Sequence, residues 1–145
     1  MIVKKLLKYF GVSLLVLLVA IQFVPVDREN PPVVADFEGP AEVESLLRRA
    51  CYDCHSNETV WPWYSYVAPF SLLVAHDVEE GREELNFSDW AAVKDKAHLI
   101  EEIYEETEEG EMPMPVYLIT HGDAKVSPEE MELLRVWAAS VEGKS

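Results

Sequence analysis

Cysteine is scarce in the chain, with two in 145 positions, Cys51 and Cys54. A structural zinc site needs four ligands and a second Cys or His pair close by, whereas His76, His98 and His121 stand singly. A thioredoxin-like redox couple would sit beside a βαβ pattern, and no strand-length alternating run occurs. Basic side chains are few as well: 12 Lys and Arg face 27 Asp and Glu, for a formal net charge of −15. That balance argues against nucleic acid as a partner. A glycine-rich phosphate loop and an internal repeat are both missing. The class that remains is all-α.

What the two cysteines do have is a histidine directly behind them, in Cys51-Tyr52-Asp53-Cys54-His55. C-x-x-C-H is the spacing of a c-type haem attachment site. Residues three apart share one face of a helical turn, so both thiols can reach one porphyrin edge and form thioethers. His55 then supplies a neutral imidazole to the iron. A plain disulfide would leave His55 without a purpose.

The first 24 residues carry sorting information. Lys4, Lys5 and Lys8 precede an apolar run from Tyr9 to Val24, broken only by Gly11, Ser13 and Gln22. The run is short for a spanning helix, which needs about 20 residues, but its flanks can extend it. A cleavable leader wants small residues before the cut; Ala20 follows Leu18 and Val19. No cysteine follows the run, which excludes lipoprotein anchoring. The expectation is an uncleaved signal-anchor over residues 1–24, lysines in the cytoplasm, single-pass in the inner (cytoplasmic) membrane. The rest then lies in the periplasm or extracytoplasmic space, which suits haem attachment because that step needs exported apoprotein with reduced thiols. Residues 25–40, with Pro25, Pro31, Pro32 and Pro40 among acidic side chains, predict a stiff extended tether outside the core.

Residues 41–145 form the domain. Val43, Leu46, Leu47 and Ala50 make an apolar stripe, with Glu44 and Arg48 paired four apart. This first helix delivers the C-x-x-C-H turn. The aromatic stretch Trp61-Pro62-Trp63-Tyr64 cannot be regular helix around its proline. Trp61, Trp63 and Tyr64 are candidates to line the porphyrin or bond a propionate, or else ordinary core aromatics. A metal-bound histidine donates its other N–H to an acceptor, and the backbone at Ala68-Pro69 is the candidate. Phe70, Val74 and Val78 predict a helix ending near Gly81. Ser88 is read as the N-cap of a helix carrying Trp90, Val93, Ala97, Ile100 and Tyr104. His76 and His98 fall on exposed faces. Ser127-Pro128-Glu129-Glu130 is a capping box opening a last helix whose stripe is Met131, Leu134, Trp137, Ala138 and Val141.

Between those last two helices lies Met112-Pro113-Met114-Pro115-Val116-Tyr117, followed by His121. A methionine opposite His55 would raise the reduction potential and favour ferrous iron, as suits an electron carrier. Met112 and Met114 both qualify, a core-filling role is the ordinary reading of either, and His121 is the rival ligand.

At this point the segment Ala41 to Ala139 resembles the bacterial haem-binding domain proteins of the c-type cytochrome kind. The resemblance rests on Cys51-Tyr-Asp-Cys54-His55-Ser56-Asn57, Trp61-Pro62-Trp63-Tyr64, Ala68-Pro69, Gly81-Arg82, Leu85-Asn86-Phe87-Ser88-x-Trp90, Met112-Pro113 and Tyr117-x-x-x-His121. It implies a cytochrome c-like domain of about four helices around one haem, with Cys51, Cys54, His55, Pro69, Met112 and Tyr117 among the haem-binding positions. Of the two methionines it favours Met112 as the iron ligand with His55. The reading is a membrane-tethered mono-haem c-type cytochrome that passes single electrons and is not an enzyme. Its partners are then the membrane, the cytochrome c maturation machinery and redox proteins, basic ones by charge. The rival is a haem-based sensor or small-ligand module with a weak or open sixth position.

Overall fold

The computed structural model describes residues 2–142. Helix α1 (Ile2–Ala20) runs on into a 3-10 turn at Ile21–Phe23, and together they make a 22-residue span whose apolar 18-residue stretch has a mean hydropathy of 2.1. None of it is buried in the protein. A helix apolar on every side cannot satisfy its surface in water, and this one is long and apolar enough to cross a membrane.

The remainder is all-α; among the described residues there is one isolated bridge, Ala35 with Asp89, and no strand. Helix α2 (Ala41–Ala50) buries Val43, Leu46, Leu47 and Ala50, the predicted stripe. Its acids lie in the first turn and Arg48 and Arg49 in the last, matching the helix dipole. The chain breaks helical geometry at Cys51 and restarts as a single turn, α3 (Tyr52–His55). Helix α4 (Phe70–Glu84), α5 (Lys96–Glu109) and α6 (Pro128–Glu142) complete the set. Helix α6 opens as predicted: Glu130 N–H donates to Ser127 Oγ at 3.2 Å while Ser127 N–H donates to Glu130 Oε2 at 2.8 Å. Gly110 ends α5 in the left-handed region at φ 78°, where a side chain would be strained.

Three expectations change. Helix α4 does not stop near Gly81 but runs to Glu84, with Gly81 buried inside it. Helix α5 starts at Lys96, capped by Asp95 accepting from His98 N–H at 3.1 Å. Ser88 caps no helix; its hydroxyl accepts from Asn57 N–H, and Trp90 sits in a 3-10 turn. Trp90 is buried for another reason, a ring of aromatics around Phe37.

That ring revises the reading of residues 25–40. They are extended, but they lie on the domain. Phe37 is 5% exposed and packs against Trp90 at 4.9 Å, Trp137 at 5.7 Å and Phe87 at 5.8 Å between ring centroids. Val34 and Ala35 N–H both donate to Ser88 O, and Trp90 N–H returns a bond to Ala35 O. One large apolar side chain among prolines and acids leaves no periodic signal, yet burying it stabilises by about 2–3 kcal/mol.

Candidate functional site

Cys51, the residue before the α3 turn, and Cys54 within it are free thiols, and with His55 they border one cavity of about 390 Å³. Leu85 from the end of α4 and Leu99, Ile103 and Thr107 from α5 form further walls. The segment Met112-Pro113-Met114 and Tyr117 complete the lining. The surface is mostly apolar, and Asp53, Asp77, Glu80, Glu84, Glu102 and Glu106 add carboxylates to the lining. The peptide bonds Ala68–Pro69 and Met112–Pro113 are cis.

His55 is fixed from behind. Its Nδ1 lies 2.8 Å from Gly81 O and 3.3 Å from Leu85 O. Both neighbours are acceptors, so Nδ1 carries the proton and Nε2 keeps its lone pair. Burial holds the imidazole below the ordinary 6.5, so it is neutral at pH 7. The predicted acceptor at Ala68–Pro69 is therefore incorrect. The physical reason is that α4 packs its last turns against α3, where Gly81 O, already accepting from Leu85 N–H at 3.0 Å, has a second lone pair free for Nδ1–H. Gly81 permits the approach, since a Cβ there would lie 2.8 Å from Cys54 O.

Burial pushes both thiols up to about 12, with the neighbouring Asp53 charge adding to the effect at Cys54. Asp53 has a further role that the sequence reading missed. Its Oδ1 accepts from Val60 N–H at 3.0 Å and its Oδ2 from Tyr117 O–H at 2.7 Å. The carboxylate thus ties the C-x-x-C-H turn to the methionine-bearing segment. Burial, with that hydrogen bond second, raises the Tyr117 phenol well above its ordinary value.

The structure brings Cys51, Cys54, His55, Met112, Met114 and Tyr117 together, but not every candidate. His121 borders no cavity described here; its ring stacks on Tyr117 at 4.0 Å and its Nδ1 lies 3.1 Å from Thr120 Oγ1. Trp63 and Tyr64 line a second, adjoining groove of about 510 Å³, which shares Asp53, Cys54, Asp77, Met114 and Tyr117 with the first. Trp63 is 79% exposed. Trp61 borders neither hollow, and its buried indole N–H has no acceptor among the described residues. Pro69 is exposed and borders neither. Gly81, Leu99 and Ile103 were not singled out as site residues. The glycine was in view beside Arg82, but no local pattern shows what approaches it.

A family model described as a haem-binding domain matches residues 16–140. The match begins inside α1 and takes in the extended stretch that carries Phe37. Neither a search of curated proteins nor one of solved structures gave a match.

Proposed function

The chain belongs to the haem-binding domain family, and from that membership we propose that it is a membrane-tethered mono-haem cytochrome of the c type, carrying one electron at a time. The observation that carries the reading is the shared cavity: two free thiols and a histidine on one wall, a thioether on another. The residues fit the group. Cys51 and Cys54 would hold the macrocycle through thioethers, and His55 Nε2 would bind the iron. Met112 would be the second protein ligand to the iron, since it borders this cavity alone while Met114 also borders the outer groove. The group supplies reversible one-electron chemistry at its iron when bound.

The protein's own residues set the conditions for that chemistry. Gly81 O, accepting from His55 Nδ1–H, orients the ring and makes Nε2 a stronger donor. The Asp53–Tyr117 hydrogen bond holds the two ligand-bearing segments in register. Leu85, Leu99 and Ile103 supply apolar wall, and the carboxylates of α4 and α5 around them favour a basic partner at low salt. Electron carrying asks for no general acid, base or nucleophile, so we read the protein as a carrier and not an enzyme. Helix α1, with Lys4, Lys5 and Lys8 near its start, supports a single-pass anchor in the cytoplasmic membrane with the domain outside. Attachment there would employ the cytochrome c maturation machinery.

The test is to express the full chain with a cytochrome c maturation system and extract the purified protein with acid and acetone. Pigment is expected to stay with the polypeptide, and in Cys51→Ala/Cys54→Ala it is expected to leave. Pigment that leaves the unaltered protein would reject covalent attachment.

A further inference from the structure

We propose that the uncharged face around Ala68 seats on the bilayer, its apolar side chains resting among lipid headgroups and upper acyl chains. The proposal depends on the reading of α1 as a membrane anchor. A chain with 27 acidic residues has no charged side chain between positions 59 and 75, nor between 112 and 120. The fold brings residues of these two neutral segments to line the second groove, where Asp53 and Asp77 are the acidic members of the lining. Their apolar residues face outward instead of packing: Trp63 is 79% exposed, Phe70 56%, Leu73 49%, Val116 57% and Ile119 79%. A contiguous exposed apolar surface of this kind marks an interaction site.

The occupant is indicated by where α1 ends. Gln22, in the last turn of the apolar span, grips the backbone of Ala68 from both sides. Its Oε1 accepts from Ala68 N–H at 3.0 Å, and its Nε2 donates to Ala68 O at 3.0 Å. Six residues on, Arg28 Nε donates to Ser65 O at 2.8 Å and its guanidinium lies 4.6 Å from the centre of the Tyr66 ring. The chain leaving the membrane is therefore fastened to the turn that carries Trp63 and Tyr66. That holds the neutral face at the level of the helix end, where the interfacial layer lies and where Trp and Tyr collect. The acidic remainder of the domain is repelled by anionic headgroups, so this is the face that can approach them.

The full chain can be placed in phosphatidylcholine nanodiscs containing a lipid with a diazirine on the upper acyl chain, irradiated, and mapped by mass spectrometry. Adducts are expected on α1 and also within residues 59–75 and 112–120. Phe70→Glu/Ile119→Glu, which alters two exposed positions, should abolish the domain adducts and leave those on α1 and the visible spectrum unchanged. Adducts on α1 alone overturn the seated face while leaving the anchor intact. Domain adducts that survive in the double variant also overturn it. No adducts on α1 remove the anchor, and the proposal with it.

Discussion

Gly81→Ala sets two ordinary effects against each other. In an isolated helix the change would be favourable by about 1 kcal/mol. In α4, however, the new Cβ would sit 2.8 Å from Cys54 O and 3.1 Å from Cys54 C, both backbone atoms with no rotamer to change. To reach the 3.4 Å at which ordinary contact begins, α3 and α4 must part by about 0.6 Å. Overpacking of this kind costs about 1–3 kcal/mol. The same displacement lengthens the 2.8 Å bond from His55 Nδ1 to Gly81 O to about 3.4 Å, where it is much weaker. A net loss of about 1–2 kcal/mol follows, roughly 3–8 °C in Tm for a domain of this size. The reduction potential should rise too, because an imidazole without its acceptor is a weaker donor to ferric iron. Gly122→Ala, where a Cβ meets nothing within 4 Å, is the matched control and should change neither quantity. The assays are thermal unfolding by circular dichroism and a potentiometric titration of the haem-loaded protein. A higher Tm in Gly81→Ala would refute the close approach of α3 and α4 and the account of how His55 is held.

Met112→Ala should lower the reduction potential and open the ferrous protein to carbon monoxide, while Met114→Ala should do neither; the reverse pattern, read by visible spectroscopy, would reassign the sulfur. In the apoprotein, burial raises both thiols from the ordinary 9.0 to about 12, so the neutral form is favoured by folding and stability falls as pH rises above 9. At pH 8 the native thiolate fraction drops about a thousandfold, but a less acidic thiolate is some 15–30 times more nucleophilic, leaving exchange with an aromatic disulfide roughly 30–60-fold slower than in the unfolded chain. Equal rates before and after denaturation would contradict that burial. Phe37→Ala should cost about 3–5 kcal/mol in chemical denaturation, whereas a change of under 0.5 kcal/mol would restore the view of residues 25–40 as a tether free of the core.

Helices α2 and α6 were legible because periodicity and chain-end signals agreed: one stripe of apolar side chains each, and for α6 a capping box whose two bonds are both made. The start of α5 was not. Trp90 and Val93 fall at helical spacing from Ala97, but Trp90 is buried by Phe37 across space, and Asp95 supplies the cap. The candidate site residues were legible to the extent that chemistry is written in residue type: thiols, imidazole and thioether do line one cavity. What orients them was not. The acceptor for His55 lies 26 residues along the chain and is a backbone carbonyl, which every residue possesses. Only the missing Cβ of Gly81 leaves a trace in the sequence. The two methionines are also alike in sequence, and what separates them is that Met114 turns a corner between two hollows.

A four-residue helix has no stability of its own, because nucleation costs more than one turn returns. Helix α3 must be held from outside, and the residues that follow it show how. A break between helices leaves backbone donors and acceptors without partners, and burying them bare is costly. Ser56, fully buried, donates from its hydroxyl to Tyr52 O at 2.7 Å and accepts from Glu58 N–H at 3.0 Å. Asn57 N–H donates to Ser88 Oγ, and Asn57 Oδ1 accepts from Asn86 Nδ2–H, each at 2.9 Å. Arg82 reaches in from α4 to bond Ser56 O at 2.7 Å, Thr59 Oγ1 at 2.9 Å and Asn30 Oδ1 at 2.8 Å. Polar side chains thus hold the turn from behind, while Cys51, Cys54 and His55 face the cavity with its apolar and carboxylate lining. That division accounts for motif positions such as Ser56, Asn57, Arg82, Asn86 and Ser88, which border neither hollow. They fix the backbone on which Cys54 and His55 are aimed, so what they contribute to the site is its rigidity.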